Sequence, residues 1–426
     1  MQIDLLIHSA AQVLTLTGGP QRGEALGALG IVEDGAVAIH AGDIVAAGPT
    51  GALRAQFEPE TEIDAAGRVV MPGFVDAHTH LIWAGDRAAE FEMRIAGASY
   101  MEIMQAGGGI VSTVRQTRAA GVDDLVAQSL PRLRRALHNG TTTMEAKTGY
   151  GLETQSELRA LEAILALDAA QLVDLVPTHL GAHAIPPEFA DDPEAYTELV
   201  CAEMLPATAA WWRDHGGDRP LPFVDVFCEE GAFSLAQSRR ILETAHGLGF
   251  PLKIHADEFN GLGGTAMAVE LGATSADHLV RTPAADIKLL GASDTVAVGL
   301  PCTPFGLAER EYTPAQDILA AGGLLALATD MNPGGAWCDS MQFVIAIACR
   351  YMRLTPAQAI AAATVNSAAA IGRANRVGSL EPGKQADLIV LDIPEYRHLG
   401  YRYGSSLVDI VVKNGRVTFD TAASAS

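Results

Sequence analysis

From Val69 to Asp330 the chain alternates between short apolar runs and longer stretches with a helical period. The short runs are VVMPGFVDAH, TTTMEAKT, LVDLVPTHLGAH, PFVDVFCEE, FPLKIHADE, ATSADH, SDTVAVGLP and GGLLALATD. Between them, stretches such as TQSELRALEAILALDAA and LAQSRRILETAHGLG return apolar residues every three or four positions, as amphipathic helices do. Continuous apolar segments such as LLALAT suit strands covered on both faces. Eight strand–helix units over roughly 300 residues predict an α/β fold, a (β/α)8 TIM-type barrel, for which ~250 residues is typical.

The two chain ends carry another pattern. DLLIHSAAQVLTL, GAVAIHAGDIVAAG and TEIDAAGRVV are β-branched segments bounded by Gly and Asp. ADLIVLD and LVDIVVKNGRVTF repeat that style at the other end, where Asn414-Gly415 is a hairpin signal. Termini often lie close together. Residues 1–67 and 379–426 are therefore expected to share one small β-sandwich domain, with the barrel spanning 68–378.

Composition narrows the function classes. With 49% hydrophobic and 19% charged residues the chain can bury a large core. Acidic residues outnumber basic ones by 51 to 29, a net charge of −22, which argues against nucleic acid and anionic membranes as partners. It says little about the small-molecule substrate expected as partner, because a surface field is screened within about 8 Å at physiological salt, and an anionic substrate needs its own local cation. Cys201, Cys228, Cys302, Cys338 and Cys349 form no C-x-x-C pair, which suits a reducing compartment and offers no structural zinc site. MQIDLLIHSAAQ is a poor signal peptide, and no uncharged run approaches the ~20 residues of a membrane span. A cytoplasmic protein is expected.

Candidate chemistry collects where the predicted strands end. Asp76-Ala77-His78-Thr79-His80 places two imidazoles two residues apart, on the same side of a strand. His255 closes LKIHADE, His278 closes TSADH and Asp330 closes ALATD. Any one of these alone reads as a packed histidine or a helix-capping aspartate. Together, at the barrel end where active sites lie, they read as a metal centre. Several imidazoles and one carboxylate with an open position make a catalytic arrangement, because such an ion lowers the pKa of a bound water to about 7.

This pattern of H-x-H, two further histidines and a terminal Asp resembles the amidohydrolase superfamily. PGFVDAHTHLIWAGDRAAEFEMR, GGGIVSTVRQTR, KTGYGL, HLGAHAIP, VDVFCEEGAF, KIHADE, SADHL and ALATDMNPG resemble one branch of it, the imidazolonepropionases. GSLEPGKQADLIVLD extends the superfamily likeness towards the C-terminus. The resemblance implies one divalent zinc or one iron ion per subunit, held by His78, His80, His255 and Asp330, and a homodimer. It implies hydrolysis of 4-imidazolone-5-propanoate to N-formimino-L-glutamate, with Asp330, His278 and Glu258 handling protons or orienting the ring. Lys147, a possible modified metal bridge, lies on the second strand, where no such bridge is expected.

For a substrate with a propionate and a flat ring, Arg87 offers a forked clamp for the carboxylate. Its bland alternative is a surface ion pair with Asp86 or Glu90. Tyr150, between two glycines, and His183 suit contacts to the ring or carboxylate, although His183 also reads as an ordinary loop histidine. Glu258 is placed to accept a hydrogen bond from a ring N–H, and otherwise reads as a first-turn helix acid. Asn332 and Gly334 are expected at the substrate, with a turn before Pro333 as the other reading of Asn332. One departure stands out: Gly335 occupies a position where many relatives carry Ser or Thr. Two rivals remain, a deaminase on the same scaffold and a decayed, non-catalytic barrel. Arg87, Tyr150 and the intact KTGYGL and HADE segments weigh against the first, and the complete ligand set against the second.

Overall fold

A computed structural model describes residues 1–98, 102, 108–170 and 172–424. Gly107, the first residue of GGGIVSTVRQTR, falls outside them. Eight parallel strands form the barrel: β6 (Phe74–Asp76), β7 (Thr141–Lys147), β8 (Asp174–Ala182), β9 (Phe223–Cys228), β10 (Lys253–Ala256), β11 (Ser275–His278), β12 (Val296–Gly299) and β13 (Leu324–Leu327). They pair in sequence order. Between β6 and β13 the ring closes beyond the strand ends, through a parallel bridge of Thr79 with Met331. His80 N donates to Met331 O and Asp330 N donates to His78 O, at 2.9 and 3.0 Å. Asp76, buried here, accepts from the backbone N and hydroxyl of Thr329 and locks the same seam.

The second sheet draws on both chain ends. Its order is β16 (Arg416–Asp420), β15 (Val408–Lys413), β14 (Leu388–Leu391), β5 (Val69–Pro72), β1 (Gln2–Leu14), β2 (Ile31–His40), β3 (Asp43–Pro49), with β4 (Glu58–Asp64) also pairing β1. On β2, Val37 and Ile39 enter a core with Val70, Leu388, Val390 and Val412, while Ala36 and Ala38 face Leu53 and Phe57 on the other side. This alternation is the period-two signature that the sequence carried. Asn414 and Gly415 turn the β15–β16 hairpin with φ of 50° and 73°, both positive as a type I′ turn needs.

VVMPGFVDAH, which reads as one strand, is two. Val69–Pro72 belongs to the small sheet and Phe74–Asp76 to the barrel. Gly73 makes the crossing, where a Cβ would lie 2.3 Å from Thr142 Oγ1. Period alone could not reveal this split, since both halves are buried and apolar.

The barrel interior has an apolar floor. Val75, Ala77, Val176, Phe223, Val296, Val298, Leu324 and Ala326 fill it as one cluster. Charged and imidazole side chains lie above that floor. No helix among the described residues is long and apolar enough to cross a membrane.

Candidate metal centre

His78, His80, His255, His278 and Asp330, from four strand ends, converge. His78, His80 and His255 bring donor atoms within 4.8 Å of one another, and so do His78, His278 and Asp330. His80 Nε2 and His255 Nε2 stand 3.3 Å apart. Asp330 Oδ1 lies 3.4 Å from both His78 Nε2 and His80 Nε2. Two donors bound tetrahedrally at about 2.0–2.1 Å to one ion stand about 3.3–3.4 Å apart. The side chains therefore already have the spacing of ligands around a common centre.

Their lone pairs are left over for that purpose. His78 Nε2, His278 Nε2 and Asp330 Oδ1 are buried without a hydrogen-bond partner among the described residues. The opposite ring nitrogens of two of these histidines lie against carboxylates. His78 Nδ1–H donates to Asp277 Oδ2 at 2.6 Å, and His255 Nδ1 faces Asp225 Oδ2 at 3.0 Å. Such carboxylates fix the tautomer that turns Nε2 inward. Burial holds His80 down to about 4, so its ring is neutral and able to ligate. Asp330 stays charged against the cost of burial, because His78 and His80 hold it well below the usual carboxylate range. The residues present fit a metal ion.

Below the ligands lies a layer that the sequence reading missed. Lys147 is fully buried, with Nζ 3.0 Å from Glu145 and 2.6 Å from Asp225. Lys253 Nζ donates to Ala77 O at 2.9 Å and lies 3.1 Å from Glu145 and 3.6 Å from Asp277. Three carboxylates thus face two ammoniums, leaving a residual negative charge under the cluster. Thr178 adds a hydroxyl to Glu145, and Thr303 donates one to Asp330 Oδ2. The signal was present: isolated charges in VDVF, LKIH, SADH and MEAK sit within otherwise buried strands, and charges are almost never fully buried unless paired.

Backbone strain marks the same rim. His278, Leu279 and Asp330 have φ of 78°, 62° and 54°, and Asp257, beyond β10, has 53°. Non-glycine residues rarely adopt such angles, and clusters of them accompany functional sites. Asp257 accepts from Leu262 N and from the hydroxyls of Thr265 and Thr282, tying the loops after β10 and β11 together.

The remaining candidates surround the cluster. His183 stacks on His80 with ring centres 4.7 Å apart, and Tyr150 meets His183 at 5.1 Å. His183 Nδ1–H donates to Gly149 O, which leaves Nε2 facing the site. Gly149, at φ 109°, allows the approach, since a Cβ there would lie 2.9 Å from Leu180 O. Glu258 Oε2 lies 3.6 Å from His278 Nε2, and both border a 320 Å³ cavity with Thr303. Burial, reinforced by the charges of Asp330 and Glu229, pushes the Glu258 carboxyl well above its ordinary range.

Arg87 pairs through Nε with Glu90 at 2.7 Å, the local partner the sequence suggested. Its Nη1 points to Gly334, where an added Cβ would be only 2.4 Å away. Asn332 is committed to its own turn. Its Oδ1 accepts from Gly334 N and Gly335 N at 2.8 Å, and its Nδ2 donates to Asp330 O at 2.7 Å. The turn before Pro333 therefore accounts for that side chain.

A barrel whose strand ends gather four imidazoles and a carboxylate defines the amidohydrolase class. A model of that family, the amidohydrolase family, matches residues 69–418. Among curated proteins, an imidazolonepropionase of Herpetosiphon aurantiacus is 55% identical over 97% of this chain and 97% of its own length. Another, of Chloroflexus aggregans, is 53% identical over 97% of this chain and 98% of its own length. Among solved structures, an adenosine deaminase from Xanthomonas campestris with bound zinc superposes with a TM-score of 0.73 at 22% identity. That likeness covers 99% of this chain and 96% of the deaminase, and at such identity it speaks for the fold. The chain belongs to the amidohydrolase family and, within it, to the imidazolonepropionases.

Proposed function

We propose that this protein hydrolyses the ring C–N bond of 4-imidazolone-5-propanoate to N-formimino-L-glutamate, a step of histidine degradation. The observation that carries the reading is the pairing of a ligand cluster with a cationic clamp at one mouth. Full-length identity of 53–55% to two imidazolonepropionases supports the same substrate.

His78, His80, His255 and Asp330 would hold one zinc or one iron ion, with His278 beside them. The ion, when bound, supplies a Lewis acid that makes hydroxide available near neutral pH and polarises the ring carbonyl. Arg87 holds the propionate by a forked ion pair, competing with Glu90 for the guanidinium. Tyr150 and His183 flank the ring, Tyr150 as a phenol kept neutral by burial. Gly334 leaves room for the Arg87 guanidinium beside its backbone.

Asp330, oriented by the Thr303 hydroxyl that donates to its Oδ2, takes the proton of the attacking water. His278, kept neutral by burial, accepts that proton from Asp330, whose donor atoms lie within 4.8 Å of its own, and as the imidazolium stabilises negative charge developing on the carbonyl oxygen. Glu258 is held as the neutral acid by its surroundings, so it donates a proton to the leaving ring nitrogen. The sequence reading cast it as an acceptor; burial favours the donor. These groups titrate as a set. A homodimer in the cytoplasm completes the proposal.

The test is incubation of metal-analysed protein with freshly prepared imidazolone propionate, following ring absorbance and identifying the product by mass. Loss of the ring band with formimino-glutamate appearing supports the reading. An intact ring in the presence of fully metal-loaded protein refutes the substrate.

A further inference from the structure

Arg132 is a buried cation for which the reaction above has no use. It is 3% exposed, in the helix Val122–His138, and no carboxylate among the described residues lies within ion-pair distance of it. Its hydrogen bonds go to neutral oxygens: Nη1 donates to Leu81 O at 2.9 Å and Nη2 to Trp83 O at 3.1 Å. An arginine buried without a counter-ion is costly, so it needs a reason. In a chain of net charge −22, acidic partners are not scarce.

What it touches supplies the reason. The guanidinium lies 3.4 Å from the centre of the Trp83 ring and 5.7 Å from that of Trp337. The two indoles meet edge to face at 5.1 Å. Trp83 lies on the segment joining His80 to Arg87, and Trp337 lies on the turn that contains Gly334. These two segments form the clamp, where Arg87 Nη1 approaches Gly334. Tyr150, on the third side, feels the positive charge of both Arg87 and Arg132.

We propose that Arg132 is a positioning residue for recognition of the substrate carboxylate. Through the edge-to-face Trp83–Trp337 pair it fixes the spacing of the two segments that carry the clamp, and its charge, unpaired with any carboxylate among the described residues, favours an anion in front of them. The substrate carboxylate is thus the missing counter-ion, acting at a distance rather than in contact. Burial lowers the guanidinium to about 9, which leaves it charged at neutral pH. The inference rests on the proposed reaction at this same site.

The experiment compares Arg132→Met, Arg132→Lys and Trp337→Leu with the unaltered protein on two substrates, imidazolone propionate and its propionamide. Trp337 is 48% exposed, so its replacement keeps the core intact if Arg132→Met does not fold. With the carboxylate substrate, KM is expected to rise about tenfold or more in Arg132→Met, with kcat within about twofold, since ground-state recognition is what is lost. Arg132→Lys keeps charge without the fork and should fall between. Trp337→Leu should raise KM by about threefold. With the propionamide, which carries no charge to recognise, all variants should match the unaltered protein, and metal content should not change. Equal losses on both substrates, a fall in kcat alone, or loss of metal would overturn the role assigned to Arg132. Failure of the unaltered protein to turn over imidazolone propionate would instead refute the reaction, while leaving the clamp testable by binding of the intact substrate.

Discussion

The proposed metal end and the proposed carboxylate end of this site are built by opposite means. The proposed ligands sit at or just beyond barrel strands, and three of the four are backed by a buried partner: Asp277 behind His78, Asp225 behind His255, Thr303 behind Asp330. Arg87, Gly334 and Trp337 ride on loops, held by a turn and by ring contacts. The chemistry that must be placed within fractions of an ångström rests on rigid elements. In the proposed function, selection of the substrate falls to segments that can vary without disturbing the barrel.

The comparison breaks hardest at the ligands. Asp330→Asn removes both a ligand and the proton acceptor, and kcat is expected to fall about 10³-fold or more, measured at saturating substrate with metal content determined in parallel. Next comes the charged layer. Lys147→Met leaves Glu145 and Asp225 without their ammonium in a fully buried setting, and should cost about 3–5 kcal/mol in urea unfolding. The double variant Lys147→Met, Glu145→Gln should recover part of it. If Lys147→Met unfolds like the unaltered protein, the layer is not what holds the ligand end together.

At the loop end the effects should be smaller and confined to recognition. Arg87→Lys keeps the charge and loses the fork, and kcat/KM should drop about 30-fold, roughly 2 kcal/mol, with the loss mainly in KM. Unchanged KM would mean that Arg87 serves only its ion pair with Glu90. The mildest test is pH. Glu258 is raised by burial and must be protonated to donate, so kcat/KM should decline as pH rises through its raised pKa. Glu258→Gln should be slower and should lack that limb. A decline that survives in Glu258→Gln belongs to another group.

Much of the ligand end was legible in the sequence, because a strand has a fixed period and barrel sites lie at strand ends. His78 and His80 two apart, and His255, His278 and Asp330 closing their runs, needed no tertiary knowledge. What lay hidden was pairwise. Nothing in LKIHADE or VDVFCEE says that Lys253 and Asp225 meet across the barrel, only that a charge sits in a buried strand. The loop end was harder. Asn332 reads equally as a substrate contact or a turn residue until its three hydrogen bonds are seen, and Arg132 is an unremarkable basic residue on a helix until its burial without an acid is known. The split of VVMPGFVDAH at Gly73 escaped because two buried strands from different sheets share one pattern.

The central claim is that one ion at the His78–His80–His255–Asp330 cluster carries the reaction. Its most direct test strips the protein with a chelator, then restores zinc or ferrous iron in measured steps while formimino-glutamate formation is followed. The account predicts no turnover without metal, a linear rise that stops at about one ion per chain, and no response in Asp330→Asn. Full turnover by protein shown to be free of metal, or a rise that continues to a second ion, would contradict it.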